Sequence, residues 1–241
     1  MRGDAHIAVV IPAFREASRI GAVVGTVPDW VDVVVVVDDA SADETSSEAV
    51  HAGAAWTGAS ARRFELVRHS HNRGVGAAIV SGYRRAIAAG ADVLAVMAGD
   101  GQMDPGDLAR VVAPIVAGRA DYVKGNRFQH GERRHMPLAR RVAGKGLALA
   151  TRIATGLAVD DSQCGFTAIA ASTARTLPLD DLWPRYGYPN DLLGLLAAAR
   201  CRVEEVPVRP IYAGEPSGIR FWHAGVILAL IARRWLRTKL A

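Results

Sequence analysis

An apolar run, Val93-Leu-Ala-Val-Met-Ala98, breaks off into Gly99-Asp-Gly-Gln-Met-Asp104, and Pro105 then opens a helix. Asp100, Gln102 and Asp104 therefore bring two carboxylates and an amide oxygen into one short turn at the end of a strand. Oxygen donors of this kind suit a hard divalent cation such as magnesium, which often sits between one or two carboxylates and substrate phosphates. Gly99 and Gly101 leave a bulky ligand room against the backbone. The same residues would also serve a plain polar turn capping a buried strand, and the stretch alone leaves both readings open.

The elements that must position this turn follow from apolar periodicity. Residues 6–11 read as a buried strand stopped by Pro12, and the valine run 31–37 as a strand covered on both faces. Shorter strands follow at 64–67 and 121–125, and helical spacing appears at 15–27, up to about Ala52, from the Asn72–Gly76 stretch to Ala89, and at 107–117. Strands alternating with helices at this spacing predict an α/β domain with an open, doubly wound, mostly parallel sheet. Such sheets bind ligands at the carboxyl ends of their strands. Beyond Gly125 the basic stretch 129–141 reads as a mobile loop. A helix at 138–156, a strand at 165–169, a helix at 188–199, a strand at 202–208 and a last helix at 218–240 complete the chain. No linker divides residues 1–241, so one domain is expected.

The bulk properties narrow the partners. A net charge of +5 and a pI near 9.6 favour anionic ones, while an aromatic content of only 6% argues against a base-stacking surface and hence against nucleic acid. Cys164 and Cys201 cannot build a metal framework alone and are expected as reduced thiols. The chain enters its first strand almost at once, and its longest C-terminal apolar run, Phe221 to Ala232, is shorter than the roughly 20 residues of a spanning helix. A cytoplasmic protein is expected, soluble or peripheral on the cytoplasmic face of a membrane.

A dinucleotide-binding fold would need a glycine-rich turn after the first strand, and Pro12-Ala-Phe-Arg-Glu16 has no glycine. That turn and Val37-Asp-Asp-Ala-Ser41 end adjacent strands and should meet in space. Asp39 could accept hydrogen bonds from a base N–H, with Phe14 packed against a ring. Asp39 and Ser41 also suit a helix N-cap.

These segments, followed in order by Gly99-Asp-Gly-Gln-Met-Asp-Pro105, Gly125-Asn-Arg127 and Gly165-Phe166, resemble a family 2 glycosyltransferase with the GT-A fold. Gly74-Val-Gly-Ala-Ala78, Glu205-Val-Pro-Val208 and Tyr212-Ala-Gly-Glu-Pro-Ser217 make the chain similar to the dolichol-phosphate mannosyltransferase and polyprenyl-phosphate glycosyltransferase branch. The resemblance implies that Pro12, Phe14, Glu16, Val37, Asp39 and Gly99 hold the nucleotide of a GDP- or UDP-sugar. Asp100 and Gln102 would bind magnesium or manganese on the diphosphate, and Arg127 would contact a phosphate. Asp191 lies where the family often places an acidic residue near the acceptor, although a first-turn carboxylate also suits a helix dipole. Arg133 and Arg134, in the basic loop, would meet the phosphate of a polyprenyl acceptor.

The chain departs from the family where Asp-x-Asp becomes Ala98-Gly-Asp100, which removes one metal-binding carboxylate. Around the 212–217 turn the nearest cations are Arg209 and Arg220. The branch inverts by direct attack, with Asp100, Arg127 and the metal easing departure of the diphosphate. A phosphate acceptor is already anionic and needs no strong base; a sugar hydroxyl would, and Asp191 is then the candidate. A saccharide acceptor and a non-catalytic nucleotide-sugar-binding domain are the alternatives. The last helix pairs apolar Val226, Ile227, Leu228, Leu230 and Ile231 with basic Arg233, Arg234, Arg237 and Lys239, which suits either a membrane interface or a core-packed helix with a solvated end.

Overall fold

Val33–Val37 is wholly buried because it lies inside a sheet with helices on both faces, which is what an unbroken valine run requires. The computed structural model describes residues 4–58, 61–132, 136–211 and 221–240. Its seven strands are β1 (Ile7–Ala13), β2 (Val33–Asp38), β3 (Arg63–Arg68), β4 (Val93–Val96), β5 (Tyr122–Asn126), β6 (Thr167–Ala170) and β7 (Val203–Pro207). They form one sheet in the order β3-β2-β1-β4-β6-β5-β7. The helices are α1 (Ala17–Gly25), α2 (Thr45–Thr57), α3 (Val75–Ala88), α4 (Leu108–Val116), α5 (Leu138–Thr155), α6 (Ala171–Thr176), α7 (Tyr188–Ala198) and α8 (Phe221–Leu240).

Alternate residues of each central strand enter opposite cores. Ile7, Val9, Ile11, Val34 and Val36 pack with Ile20 and Val24 of α1, Trp56 of α2 and Val111 of α4. Ala8, Val10, Val35 and Val37 pack with Ile79 and Tyr83 of α3 and Leu192 and Leu196 of α7. Helix α3 comes so close to β1 that a Cβ on Gly82 would lie 2.2 Å from Val10 Cγ1, so only glycine fits there.

Three expectations need correction. Pro12 does not stop β1, which runs on to pair Pro12 with Val37 and Ala13 with Asp38. Val10 and Pro12 carbonyls both accept bonds from the segment that continues β4, so the missing Pro12 N–H would have faced a neighbour whose ladder ends at Val96. Second, β6 runs antiparallel to both β4 and β5. Its amino end therefore meets the carboxyl ends of its neighbours β4 and β5, on the same edge of the sheet as the carboxyl ends of β1 and β2. Third, α6 and the 3-10 turn Leu179–Asp181 are additional elements.

Candidate active site

The β4 strand ends at Val96, and the chain turns through Ala98, Gly99, Asp100 and Gly101, with Gly99 N–H donating to the Pro12 carbonyl at 3.2 Å. Asp100 Oδ1 accepts from Gln102 N–H at 3.0 Å, so the carboxylate closes its own turn and stands at the strand edge. Asp104 does something else. It accepts from Gly106 N–H at 2.9 Å, capping the 3-10 turn Pro105–Asp107, and lies 3.5 Å from Arg209.

Asp100 stands where two cavities join, one of about 770 Å³ and one of about 230 Å³. Both are bordered by Pro12, Val75, Ala98, Asp100 and Tyr186. The larger is lined by Phe14, Glu16, Asp39 and Gly99, which brings the expected nucleotide residues together. Val37 is the exception: its side chain is fully buried beneath the cavity in the α3–α7 core.

Local hydrogen bonds shape this wall. Arg15 takes φ 59°, its N–H held at 2.9 Å by Ser41 Oγ, and its guanidinium lies 5.2 Å from the centre of the Phe14 ring. Ser41 therefore braces the β1 turn and does not cap α2, whose N-cap position is Glu44. Asp39 is nearly buried. Its carboxylate accepts from Arg73 N–H at 2.8 Å and Gly74 N–H at 2.7 Å, and contacts His69 Nδ1 at 2.6 Å. His69 Nε2 is 2.9 Å from Ser81 Oγ, which fixes the ring. Gly74 has φ 97°, and a Cβ there would lie 2.4 Å from the Pro184 carbonyl. The glycines after β3 thus let residues 183–187 close over the site.

The smaller cavity combines cations with apolar walls: Arg127 and Arg209 beside Met103, Phe166, Val208 and Ile227. Arg127 is held by Asp161 through Nε at 2.8 Å and Nη2 at 2.9 Å. Burial would raise the Asp161 carboxyl, but the Arg127 guanidinium beside it prevails and holds it below the usual carboxylate range. Glu205 accepts from Asp160 and Asp161 N–H, both at 2.9 Å, and from Asn126 Nδ2 at 2.7 Å. Burial pushes its carboxyl up. The Glu205-Val-Pro segment is therefore the brace for the loop that holds Arg127. Lys124 is fully buried and donates to the Cys164 carbonyl at 2.5 Å, and burial holds its ammonium below its ordinary value.

Asp191, the base expected for a sugar hydroxyl acceptor, lines neither cavity. It is fully buried, and its carboxylate takes a fork from Arg234 of α8, with Nε at 2.6 Å and Nη2 at 2.8 Å. Trp183 N–H donates to it at 2.8 Å. Asp191 therefore ties α8 to the 183–187 segment. Because α8 puts Val226 on the larger cavity and Ile227 on the smaller, that tie sets the outer wall of the site. Helix α8 is in this respect packed on the domain.

Sequence reasoning missed His69, Asp161, Gln163 and Tyr186. Gln163 sits on the smaller cavity and is anchored by Nε2 to Asn190 Oδ1 at 2.6 Å. Its place just before Gly165-Phe166 was the available signal. Arg133, Arg134, the 212–217 turn and Arg220 lie outside the described residues. Among the described residues, no group of three or more His, Cys, Asp or Glu could hold a metal ion, and no helix is long and apolar enough to cross a membrane.

Residues 8–164 match the model of the family described as glycosyl transferase family 2. A UDP-N-acetylglucosamine--dolichyl-phosphate N-acetylglucosaminyltransferase of Methanococcus voltae is 30% identical over 218 residues, covering 87% of each chain. An undecaprenyl-phosphate mannosyltransferase of Micrococcus luteus is 30% identical over 210 residues, covering 84% of this chain and 82% of that one. Among solved structures, glucosyl-3-phosphoglycerate synthase of Mycobacterium tuberculosis, in complex with Mn2+, UDP and glucosyl-3-phosphoglycerate, superposes with a TM-score of 0.71 at 21% identity. It covers 97% of this chain and 81% of its own, and at that identity it shows the GT-A fold alone.

Proposed function

Since the chain belongs to glycosyl transferase family 2, we propose that it transfers a sugar from a nucleoside diphosphate to a polyprenyl monophosphate, with inversion at the anomeric carbon. The observation that carries this reading is the pair of cavities meeting at Asp100. One is large enough for a nucleotide and lined by the expected donor residues. The other sets Arg127 and Arg209 against apolar walls, which suits a phosphate bearing an apolar chain. The Methanococcus and Micrococcus relatives, both named for polyprenyl-type phosphate acceptors, support the same reading.

In the mechanism, Asp39 and Phe14 orient the base and Arg127 faces phosphate, its own position fixed by Asp161 and Glu205. Asp100 and Gln102 border the smaller cavity together and offer two hard oxygens, which fits a divalent cation that takes its other ligands from the donor diphosphate. The Mn2+ held with UDP in the mycobacterial synthase supports this assignment. Such an ion would supply charge to stabilise the departing diphosphate. An acceptor phosphate oxygen attacks the anomeric carbon as the bond to the diphosphate breaks. That oxygen is ionised at neutral pH, so the attack needs no side-chain base, which accords with the burial of Asp191.

The test is direct. Protein incubated with labelled nucleotide sugar, a divalent metal and polyprenyl phosphate in detergent should give a product that partitions into organic solvent and is released by mild acid. Label that remains in water, whether as donor or as free sugar, would sink the reading.

A further inference from the structure

His69 is a buried histidine to which the transfer mechanism gives no task. It follows β3, where its N–H donates to the Asp38 carbonyl at 2.9 Å, and its ring bridges the end of β2 and α3. Ser81 Oγ of α3 lies 2.9 Å from Nε2, and Asp39 Oδ1 lies 2.6 Å from Nδ1. A carboxylate only accepts, so Nδ1 carries a hydrogen and donates it. The same Oδ1 takes Arg73 N–H at 2.8 Å, whereas among the described residues Oδ2 takes Gly74 N–H alone, at 2.7 Å. Each carboxylate oxygen offers roughly two acceptor sites. Oδ1 is therefore full, and Asp39 keeps one acceptor site, on Oδ2, for whatever fills the larger cavity that it lines.

We propose that His69 sets the base of the donor through this occupancy, and that the base is uracil; the inference rests on the larger cavity being the nucleotide site. Uracil presents one N–H between two carbonyls, which a single acceptor site satisfies. Guanine presents two adjacent N–H donors that suit both oxygens of a carboxylate. With Oδ1 taken, its amino group is left unpaired in a buried setting. Cytosine has a bare ring nitrogen where uracil has N–H, so two acceptors would face each other. The neighbours of Asp39 suit the uracil carbonyls. Asn72 Nδ2 lies 3.4 Å from the Asp39 carbonyl oxygen and Arg185 Nη1 3.4 Å from Asn72 Oδ1, and both residues line the same cavity. They bring N–H donors alongside the carboxylate.

Binding of UDP, GDP and CDP in the presence of manganese, with no acceptor, tests this apart from any transfer. UDP should bind at least about tenfold more tightly than GDP or CDP, the worth of one hydrogen bond to a charged group. His69→Ala opens Oδ1 and should shrink the UDP-to-GDP ratio by at least about threefold, while His69→Asn, whose amide N–H replaces Nδ1–H, should keep it. A merely structural histidine would weaken both nucleotides alike. GDP bound as tightly as UDP by wild type, or a ratio unchanged in His69→Ala, would overturn the proposal and leave the nucleotide site standing. If His69→Ala does not fold, the wild-type ratio and its retention in His69→Asn decide. Binding of none of the three would remove the nucleotide site and the proposal with it.

Discussion

Asp100→Asn should reduce sugar transfer by about 10²- to 10³-fold while the protein melts within a degree or two of wild type, on the order expected for losing a group that stabilises the leaving charge. The side chain borders both cavities and accepts a bond from Gln102 N–H, a contact that asparagine can reproduce. The turn should therefore persist while the charge is lost. Ala98 leaves Asp100 as the lone acidic residue of the 98–100 segment, so nothing in that segment can take over its charge. The reciprocal change, Ala98→Asp, should tighten metal binding measured by titration. Full turnover in Asp100→Asn would remove this residue from the chemistry, and an unchanged metal affinity in Ala98→Asp would remove Ala98 from the ion's surroundings.

The second large effect concerns stability. Asp191 and Arg234 form a buried ion pair joining α7 to α8, and Arg233 lies 3.6 Å from the same carboxylate. Removing one partner of such a pair strands the other charge, which typically costs about 3–5 kcal/mol. For a chain of this size that lowers the melting temperature by roughly 6–20 °C. Asp191→Asn should be worse than Arg234→Met, because it leaves two cations without their carboxylate, whereas Arg234→Met still leaves Arg233 near Asp191. The double variant Asp191→Leu with Arg234→Met should recover much of the loss, since replacing both charges by apolar groups leaves nothing stranded. If Asp191→Asn melts like wild type but is inactive, the residue belongs to the chemistry after all.

Much of the core was legible from residue type. A valine run buried on both faces reads as a central strand, and an abrupt change from Val93–Ala98 to acidic and glycine residues marks its functional end. What could not be read depends on partners far along the chain. The first-turn position of Asp191 was visible, but its meaning rests on Arg234 in another helix. Strand β6 has the same apolar signature whichever way it runs, so its reversal, which brings Gln163 and Phe166 to the site, leaves no local trace. Pro12 reads as a strand stop unless one knows that β4 has already ended beside it. The Glu205-Val-Pro segment identified a branch, while its work, holding the Asp161 turn beneath Arg127, is a long-range contact.

The central claim is the acceptor, and the measurement that bears on it most directly is competition. Polyprenyl phosphate and 3-phosphoglycerate, offered together in detergent with labelled nucleotide sugar and a divalent metal, give products that separate between organic solvent and water. The apolar walls around Arg127 and Arg209 predict that label goes to the lipid phase, with kcat/KM for the lipid phosphate at least about tenfold the higher, a modest demand when several apolar contacts distinguish the two acceptors. Label found in glycosyl phosphoglycerate, with none in the lipid, would contradict the account.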